Sequence, residues 1–214
     1  MTDSQITLWG AVSLRALRVH WALHELALPY RCEPIQSRSG ETLTEEYGRL
    51  NPKRKIPYLT DGDFGLSESA AIVGYLFRAY GAGRGVYLPA DDRAQATSDE
   101  WCYFVMTEMD AHSLYLIRRH GHLPEVYGHA PAAVASAEEY FLKQLAAVTP
   151  RIAEADPYLF GDRLGAADIL LTTCLDWAAN YGIEVSAPAL AYLERTKARP
   201  AYQAAVASNA VAGQ

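Results

Sequence analysis

Cysteine is scarce in this chain of 214 residues, which has only Cys32, Cys102 and Cys174. Their odd number and wide separation argue against a disulfide framework and suit a reducing cytosol. No C-x-x-C pair occurs. Long apolar runs are also missing, and none approaches the roughly 18 residues of a membrane-spanning helix. The opening MTDSQITLWG has neither the basic n-region nor the apolar core of a secretory leader. Positive charge is not in excess, since the formal net charge is −6, which argues against nucleic acid or an anionic membrane as partner. The expectation is a cytoplasmic protein with no nucleic-acid or membrane partner. Metal-binding patterns are absent as well. His20 and His24 lie one helical turn apart, and His120 and His122 lie near His129, but neither set has a third ligand at a recognised spacing, and no H-E-x-x-H occurs. The glycines at 81, 83 and 85 are not followed by Gly-Lys-Ser/Thr, so they do not form a phosphate loop.

What remains is the composition of an ordinary globular protein, 50% hydrophobic and 21% charged. The first part alternates strand and helix signals. Ile6 to Trp9 is a short apolar strand, the apolar spacing from Leu14 to Leu28 predicts a helix over 13–27, and Tyr30 to Ile35 predicts a second strand. Thr42-x-x-Glu45 is a candidate capping box for a short helix ending near Leu50. Pro57 to Thr60 and Phe64 to Leu66 predict two more strands around the turn Asp61-Gly62, followed by a helix over 67–80. Glycines and Pro89 then remove regular structure. Beyond that break, helical signals run over 93–120, 131–155, 166–181, 187–197 and 200–211, with no strand pattern between them. The domain expectation is 1–80, a linker at 81–92, and an all-helical 93–214.

The most informative stretch is Asn51 to Ser69, NPKRKIPYLTDGDFGLSES. A proline at the start of a strand gives up a ladder donor. Pro57 is open to two readings, an ordinary trans proline at a strand edge or a cis Ile56-Pro57 bond. A cis bond would turn the Ile56 N–H and C=O outward, free to pair with an extended peptide-like ligand. Further on, Leu66-Ser67-Glu68-Ser69-Ala70-Ala71-Ile72 places a carboxylate and hydroxyls in the first turn of a helix. Unpaired N–H groups and the positive dipole end form an anion site there. A ligand carboxylate could sit on Ser69 and its ammonium on Glu68.

Asn51-Pro52, Lys55-Ile56-Pro57, Leu59, Glu68-Ser69, Ala71-Ile72 and Tyr75-Leu76 occur in the order and spacing of NPxGKxPxL followed by xESxAIxxYL. In this the chain resembles the cytosolic glutathione transferases, specifically the bacterial serine-type members that are theta-, zeta- or beta-like. Gly161 to Asp168 is similar to the family's G-x-x-x-S/T-x-A-D segment, and Arg199-Pro200-Ala201-Tyr202 extends the likeness almost to the end. Two departures stand out: Arg54 replaces the usual Gly, and Gly165 replaces a Ser or Thr N-cap. Gly at an N-cap is worse than Ser by only a few tenths of a kcal/mol, and Asp168 can still reach back to it. The resemblance implies a thioredoxin-like α/β domain followed by an all-α domain, glutathione as co-substrate and no metal. It also implies a homodimer in which Phe64 is a candidate interface residue.

The family's reaction needs glutathione as a thiolate, and a free thiol has a pKa of about 8.5. Lowering that by about two units takes roughly 2.7 kcal/mol. A hydrogen bond to a charged group supplies about 1.5–3 kcal/mol, and a helix N-terminus about 0.3–1 kcal/mol. One hydroxyl at the start of the first helix would suffice. Family classes that use tyrosine carry it at the end of the first strand, where this chain has Trp9. Classes that use cysteine carry it at the start of the first helix, and no cysteine precedes Cys32. The serine type remains, with Ser13 five residues before Arg18 as the candidate catalytic residue. Ser13 is open to a second reading as a helix cap alone, and Arg15 to two, electrostatic assistance or a solvent-facing charge.

The resemblance further assigns glutathione contacts to Arg38, Lys55, Ile56, Pro57, Glu68 and Ser69, although Arg38 and Lys55 equally suit solvated surface charges. It places Tyr103, Met106, Thr107, Glu108, Asp110 and Tyr115, with Arg15, at an electrophile pocket or partner-subunit cleft. An aromatic stripe at helical spacing equally suits core packing. The leading expectation is an enzyme that conjugates the glutathione thiolate to hydrophobic electrophiles. The alternative is a glutathione-transferase-like binding or assembly module without turnover. Glutathione-dependent disulfide exchange is disfavoured, because no cysteine stands at the active-site position.

Overall fold

The apolar run Ile6–Trp9 forms β1, the interior strand that orders the first unit. A computed structural model describes residues 5–210. Among the described residues, β1 pairs parallel with β2 (Arg31–Glu33) and antiparallel with β3 (Tyr58–Asp61), which pairs antiparallel with β4 (Phe64–Ser67). The sheet order is β2-β1-β3-β4. Leu8 lies opposite Leu59 in the register, and both are fully buried. β3 begins after Pro57, so the missing proline N–H costs the ladder nothing. The Ile56-Pro57 bond is cis.

The chain divides into two compact units. The first runs to Leu88 and takes back the chain from Ala198; the second is Pro89–Lys197. In the first unit, α1 (Leu14–Glu25) is buried over every position from Ala16 to Leu23. A helix buried all round must be covered on several sides. Here α3 (Ser69–Tyr80) and α10 (Pro200–Ala210) pack against it. α3 buries Ser69, Ile72, Val73, Leu76 and Phe77, the i, i+3, i+4, i+7, i+8 stripe of an amphipathic helix. The last helix expected within the all-helical part therefore belongs to the first unit, with Trp21 of α1 edge-on to Tyr202 of α10. Val211, the expected end of that helix, lies outside the described residues.

The short helix α2 (Glu45–Leu50) is capped by Thr44, whose side chain accepts from the Tyr47 N–H. The expected capping box on Thr42 is thus displaced by two residues, because Glu41–Leu43 winds into a 3-10 turn that buries Thr42. Tyr47 of α2 meets Trp9 edge-on.

In the second unit, α4 (Asp92–Phe104) starts on Asp91, which accepts from the Arg93 and Ala94 amides. The single helix predicted over 93–120 is α-helical only to Phe104. Residues 105–114 wind in wider π-type turns, with Tyr115 N–H donating to the Asp110 carbonyl. A short α5 (Tyr115–Ile117) and a second wide stretch over 118–122 follow. After α6 (Pro124–Tyr127) and α7 (Pro131–Ala153), α8 (Ala166–Asn180) forms the buried axis, and α9 (Ala187–Lys197) packs on it. Gly165 caps α8 with φ −107, and Asp168 accepts from the Gly165 N–H at 2.7 Å. The fully buried Asp168 carboxylate also accepts from the Leu159 N–H and the Tyr192 hydroxyl, so one side chain joins three parts of this unit.

Candidate active site

The loop between β1 and α1 is built from backbone conformations that most residues avoid. Gly10 has φ +130, and a Cβ there would come within 2.8 Å of the Ile56 Cβ, so glycine lets this loop close on the cis-proline loop. Val12 has φ +51, an outlier for a β-branched residue. The loop amides are all committed. Gly10 N–H donates to Glu33 O, Ala11 N–H to Ile35 O and Val12 N–H to Asn209 O, while Ser13 N–H makes a long contact of 3.5 Å with Asn209 Oδ1.

Ser13 is the N-cap of α1. Its Oγ accepts from the Ala16 N–H at 3.0 Å. A hydroxyl has two acceptor lone pairs and one donor, so capping leaves the proton free to point elsewhere. No acceptor for it occurs among the described residues. Helix cap and anion donor, which the sequence presents as alternatives, are compatible roles for one oxygen. Arg15 is half-buried on the first turn of α1. Arg18 is fully buried and donates to Ser69 Oγ at 3.3 Å, which ties α1 to the start of α3.

The second wall of the site is the Asn51 loop. Asn51, 2% exposed, donates from Nδ2 to Lys55 O at 2.8 Å and accepts the Lys53 N–H on Oδ1. The Tyr47 hydroxyl donates to the same Lys55 carbonyl at 2.8 Å, and burial pushes its pKa up to about 12. The residue just before Ile56 is therefore pinned from two sides. Among the described residues, the Ile56 N–H and C=O make no hydrogen bond. Pro57 is buried, while Lys55 and Arg38 are exposed.

Arg54 occupies the left-handed region at φ +52, which accounts for the glycine usual there. Its guanidinium donates to the Thr42, Leu43 and Thr44 carbonyls. Gly48 makes the room, since a Cβ there would meet Arg54 Nη2 at 2.6 Å.

Glu68 sits at the start of α3 with φ 72 and ψ 115, a conformation that costs on the order of 1–3 kcal/mol and persists only where the surroundings impose it. Its exposed carboxylate pairs with Lys53 Nζ at 3.0 Å. Sequence reasoning missed Lys53, because nothing in a lysine after Asn-Pro announces a partner 15 residues on. Ser69 is 2% exposed and accepts from Arg18. Ser13, Ile56, Pro57, Glu68 and Ser69 thus all lie in the first unit, around β1, the cis-proline loop and the start of α3.

Arg15, Arg38 and Lys55 belong to the same unit, whereas the other expected pocket residues lie in the second. Tyr103 is 66% exposed on α4. Glu108 accepts from the Tyr140 and Thr107 hydroxyls and lies 3.9 Å from His112, and these hydrogen bonds hold its carboxyl below the usual range. Met106 and Tyr115 are half-buried. Asp110 has no exposed surface, so it packs inside the unit. Among the described residues, no helix is long and apolar enough to cross a membrane.

Comparison with known proteins agrees with this geometry. A family model described as Glutathione S-transferase, N-terminal domain, matches residues 4–78, and one described as Glutathione S-transferase, C-terminal domain, matches residues 104–201. Glutathione S-transferase theta-1 of Bos taurus is 28% identical over 160 residues, which are 74% of this chain and 66% of that protein; the chain spans just under two thirds of that relative. The solved theta class glutathione S-transferase from Xanthomonas axonopodis pv. citri, described with glutathione bound, is 28% identical. It superposes with a TM-score of 0.79, covering 95% of this chain and 98% of its own. A glutathione transferase from Phanerochaete chrysosporium in complex with oxidized glutathione reaches a TM-score of 0.85 at 22% identity over 99% of each chain, a likeness of fold.

Proposed function

The chain belongs to the glutathione S-transferase family, and from that premise we propose that it conjugates the glutathione thiolate to hydrophobic electrophiles through a serine-type site centred on Ser13. The observation that carries this reading is the Ser13 oxygen. It is fixed by the Ala16 N–H, and its proton is free to donate. With the amides of Gly10 to Ser13 engaged elsewhere, that hydroxyl is the donor the loop offers to a sulfur anion. Electrostatic stabilisation of this kind lets the nucleophile form near neutral pH.

The rest of glutathione is an extended peptide, and the Ile56 N–H and C=O beside Pro57 offer it backbone pairing. Its ammonium would meet Glu68, displacing Lys53, and its γ-glutamyl carboxylate would meet the α3 N-terminus and Ser69. Lys55 and Arg38, both exposed cations, would take the glycyl carboxylate. Arg15, Tyr103, Met106, Thr107, Glu108 and Tyr115 are proposed to shape the electrophile pocket or the partner-subunit cleft. Asp110 would act only from within, through the carbonyl that binds the Tyr115 N–H. Phe64, 43% exposed, would contribute to a homodimer interface. Three free cysteines fit a cytoplasmic location.

The test is turnover with a panel of electrophiles beginning with chlorodinitrobenzene, alongside retention on immobilised glutathione. Retention with no turnover across the panel would leave a glutathione-binding module and refute the enzymatic reading.

A further inference from the structure

Val12 is held at φ +51 although it is β-branched and 48% exposed, so burial against neighbours does not impose the conformation. Such a residue persists only where its surroundings over-determine it. What grips it is the end of α10. Val12 N–H donates to the Asn209 carbonyl at 2.9 Å, and Asn209 Oδ1 lies 3.5 Å from the Ser13 N–H. The last carbonyls of a helix lack partners within it, so a loop donor and a helix acceptor satisfy each other here.

α10 is held in register by contacts along α1. Arg199 pairs through two nitrogens with the Glu25 carboxylate, Tyr202 packs edge-on to Trp21 with centroids 4.9 Å apart, and Ser208 Oγ lies 2.8 Å from His24 Nε2. A slip of one residue would carry Asn209 away from Val12. We propose that Asn209 is a positioning residue for the thiolate site: its carboxamide steadies the Ser13 end of a turn already held by the backbone bond, so that the Ser13 hydroxyl is aimed at the sulfur.

This rests on the reading of Ser13 as the thiolate donor, and a double-mutant cycle separates the two. Asn209→Ala removes the carboxamide and leaves the backbone bond. It is expected to lower kcat near neutral pH by about threefold to tenfold, with the Michaelis constant for glutathione changed by about twofold or less. The pH of half-maximal turnover should rise by the equivalent half to one unit, about. Alanine is the better helix former, so the melting temperature should not fall on that account. In a Ser13→Ala background the same change should add nothing, because its effect passes through Ser13.

If Ser13→Ala alone behaves like the parent, the Ser13 reading fails and takes this inference with it. If Ser13→Ala is impaired while Asn209→Ala keeps the parental pH profile, Ser13 stands and the clamp is refuted. Equal losses in both backgrounds also refute it, since Asn209 would then act elsewhere. Should Asn209→Ala fail to fold, Asn209→Ser, which is too short to reach the Ser13 amide, carries the same expectations.

Discussion

Replacing Ser13 by alanine removes two interactions that register on different observables. The first is the cap bond to the Ala16 N–H, 3.0 Å long. Losing an N-cap of this kind costs about 1 kcal/mol, or about 2–4 °C of melting temperature for a chain of this size. The second is the donation to the glutathione sulfur proposed above. Losing about 1.5–3 kcal/mol of anion stabilisation raises the bound thiol's pKa by about one to two units. Near neutral pH, turnover should fall by about ten- to a hundredfold and recover as pH rises, while the glutathione dissociation constant hardly moves. Ser13→Asp separates the two effects. Aspartate is as good an N-cap as serine and favours the helix dipole, so stability should equal or exceed the parent's. It has no proton to donate and brings negative charge to the sulfur, so turnover should fall below that of Ser13→Ala. Glu68→Ala should supply the opposite pattern, weakened binding first, because the proposed partner of the ligand ammonium is lost. The assay is the pH dependence of conjugation with glutathione dissociation constants and thermal melts for all three variants. Parental turnover by Ser13→Ala at about pH 6.5 would make Ser13 a cap alone, with Arg15 the next residue to examine.

Arg54→Ala should destabilise by about 1 kcal/mol more than Arg54→Gly, because both lose the guanidinium contacts to residues 42–44 and only alanine keeps the strained φ +52; denaturant midpoints of the pair decide it. Gly165→Ser should stabilise by a few tenths of a kcal/mol, since φ −107 suits any L-residue and the new hydroxyl can accept from the Asp168 N–H; clear destabilisation would mean that the buried site has no room for the side chain. His20 is buried, with Nδ1 2.7 Å from the Tyr30 hydroxyl and Nε2 facing the Gly10 backbone without a well-formed hydrogen bond. Burial holds its pKa down to about 4 from 6.5. The unfolded chain therefore takes up a proton below 6.5 that the folded one refuses until about 4. Stability is full above 6.5, falls across that window, and has lost about 3 kcal/mol at its lower end. His20→Asn should flatten this part of the stability profile in denaturant titrations at stepped pH.

Most of the fold was legible because it rests on local signals. The alternation of short apolar runs with helical spacing marked β1, α1, β3, β4 and α3 to within a few residues. Asp168 and the extended backbone at Gly165 upheld the capping segment despite the missing hydroxyl. The Asn51 to Ser69 stretch was readable because its residues act on one another at short range, as the Asn51 and Tyr47 bonds to the Lys55 carbonyl show. What escaped depends on contacts between distant parts of the chain. Arg18 with Ser69 and Asn209 with Val12 leave no periodicity behind, and within the readable stretch the Lys53 to Glu68 pair spans two strands and leaves none either. The π-type turns after Phe104 escaped for another reason. No glycine or proline interrupts 93–120, so the sequence reads as one α-helix where the backbone has widened.

The return of α10 to the first unit bears on how the protein is made. A ribosome that has released Leu88 must add everything up to Ala198 before that helix can dock. At about 5–20 residues per second, that is a wait of roughly 5–20 seconds. During it the outer side of α1 is uncovered, including Trp21, which is fully buried in the finished fold. The nascent sheet unit should therefore be a client for chaperones that bind exposed aromatic surface. The grip on the Val12-Ser13 turn is acquired only with α10, so a chain cut before Ala198 would keep the β1–α1 loop and lack the contact that steadies its serine.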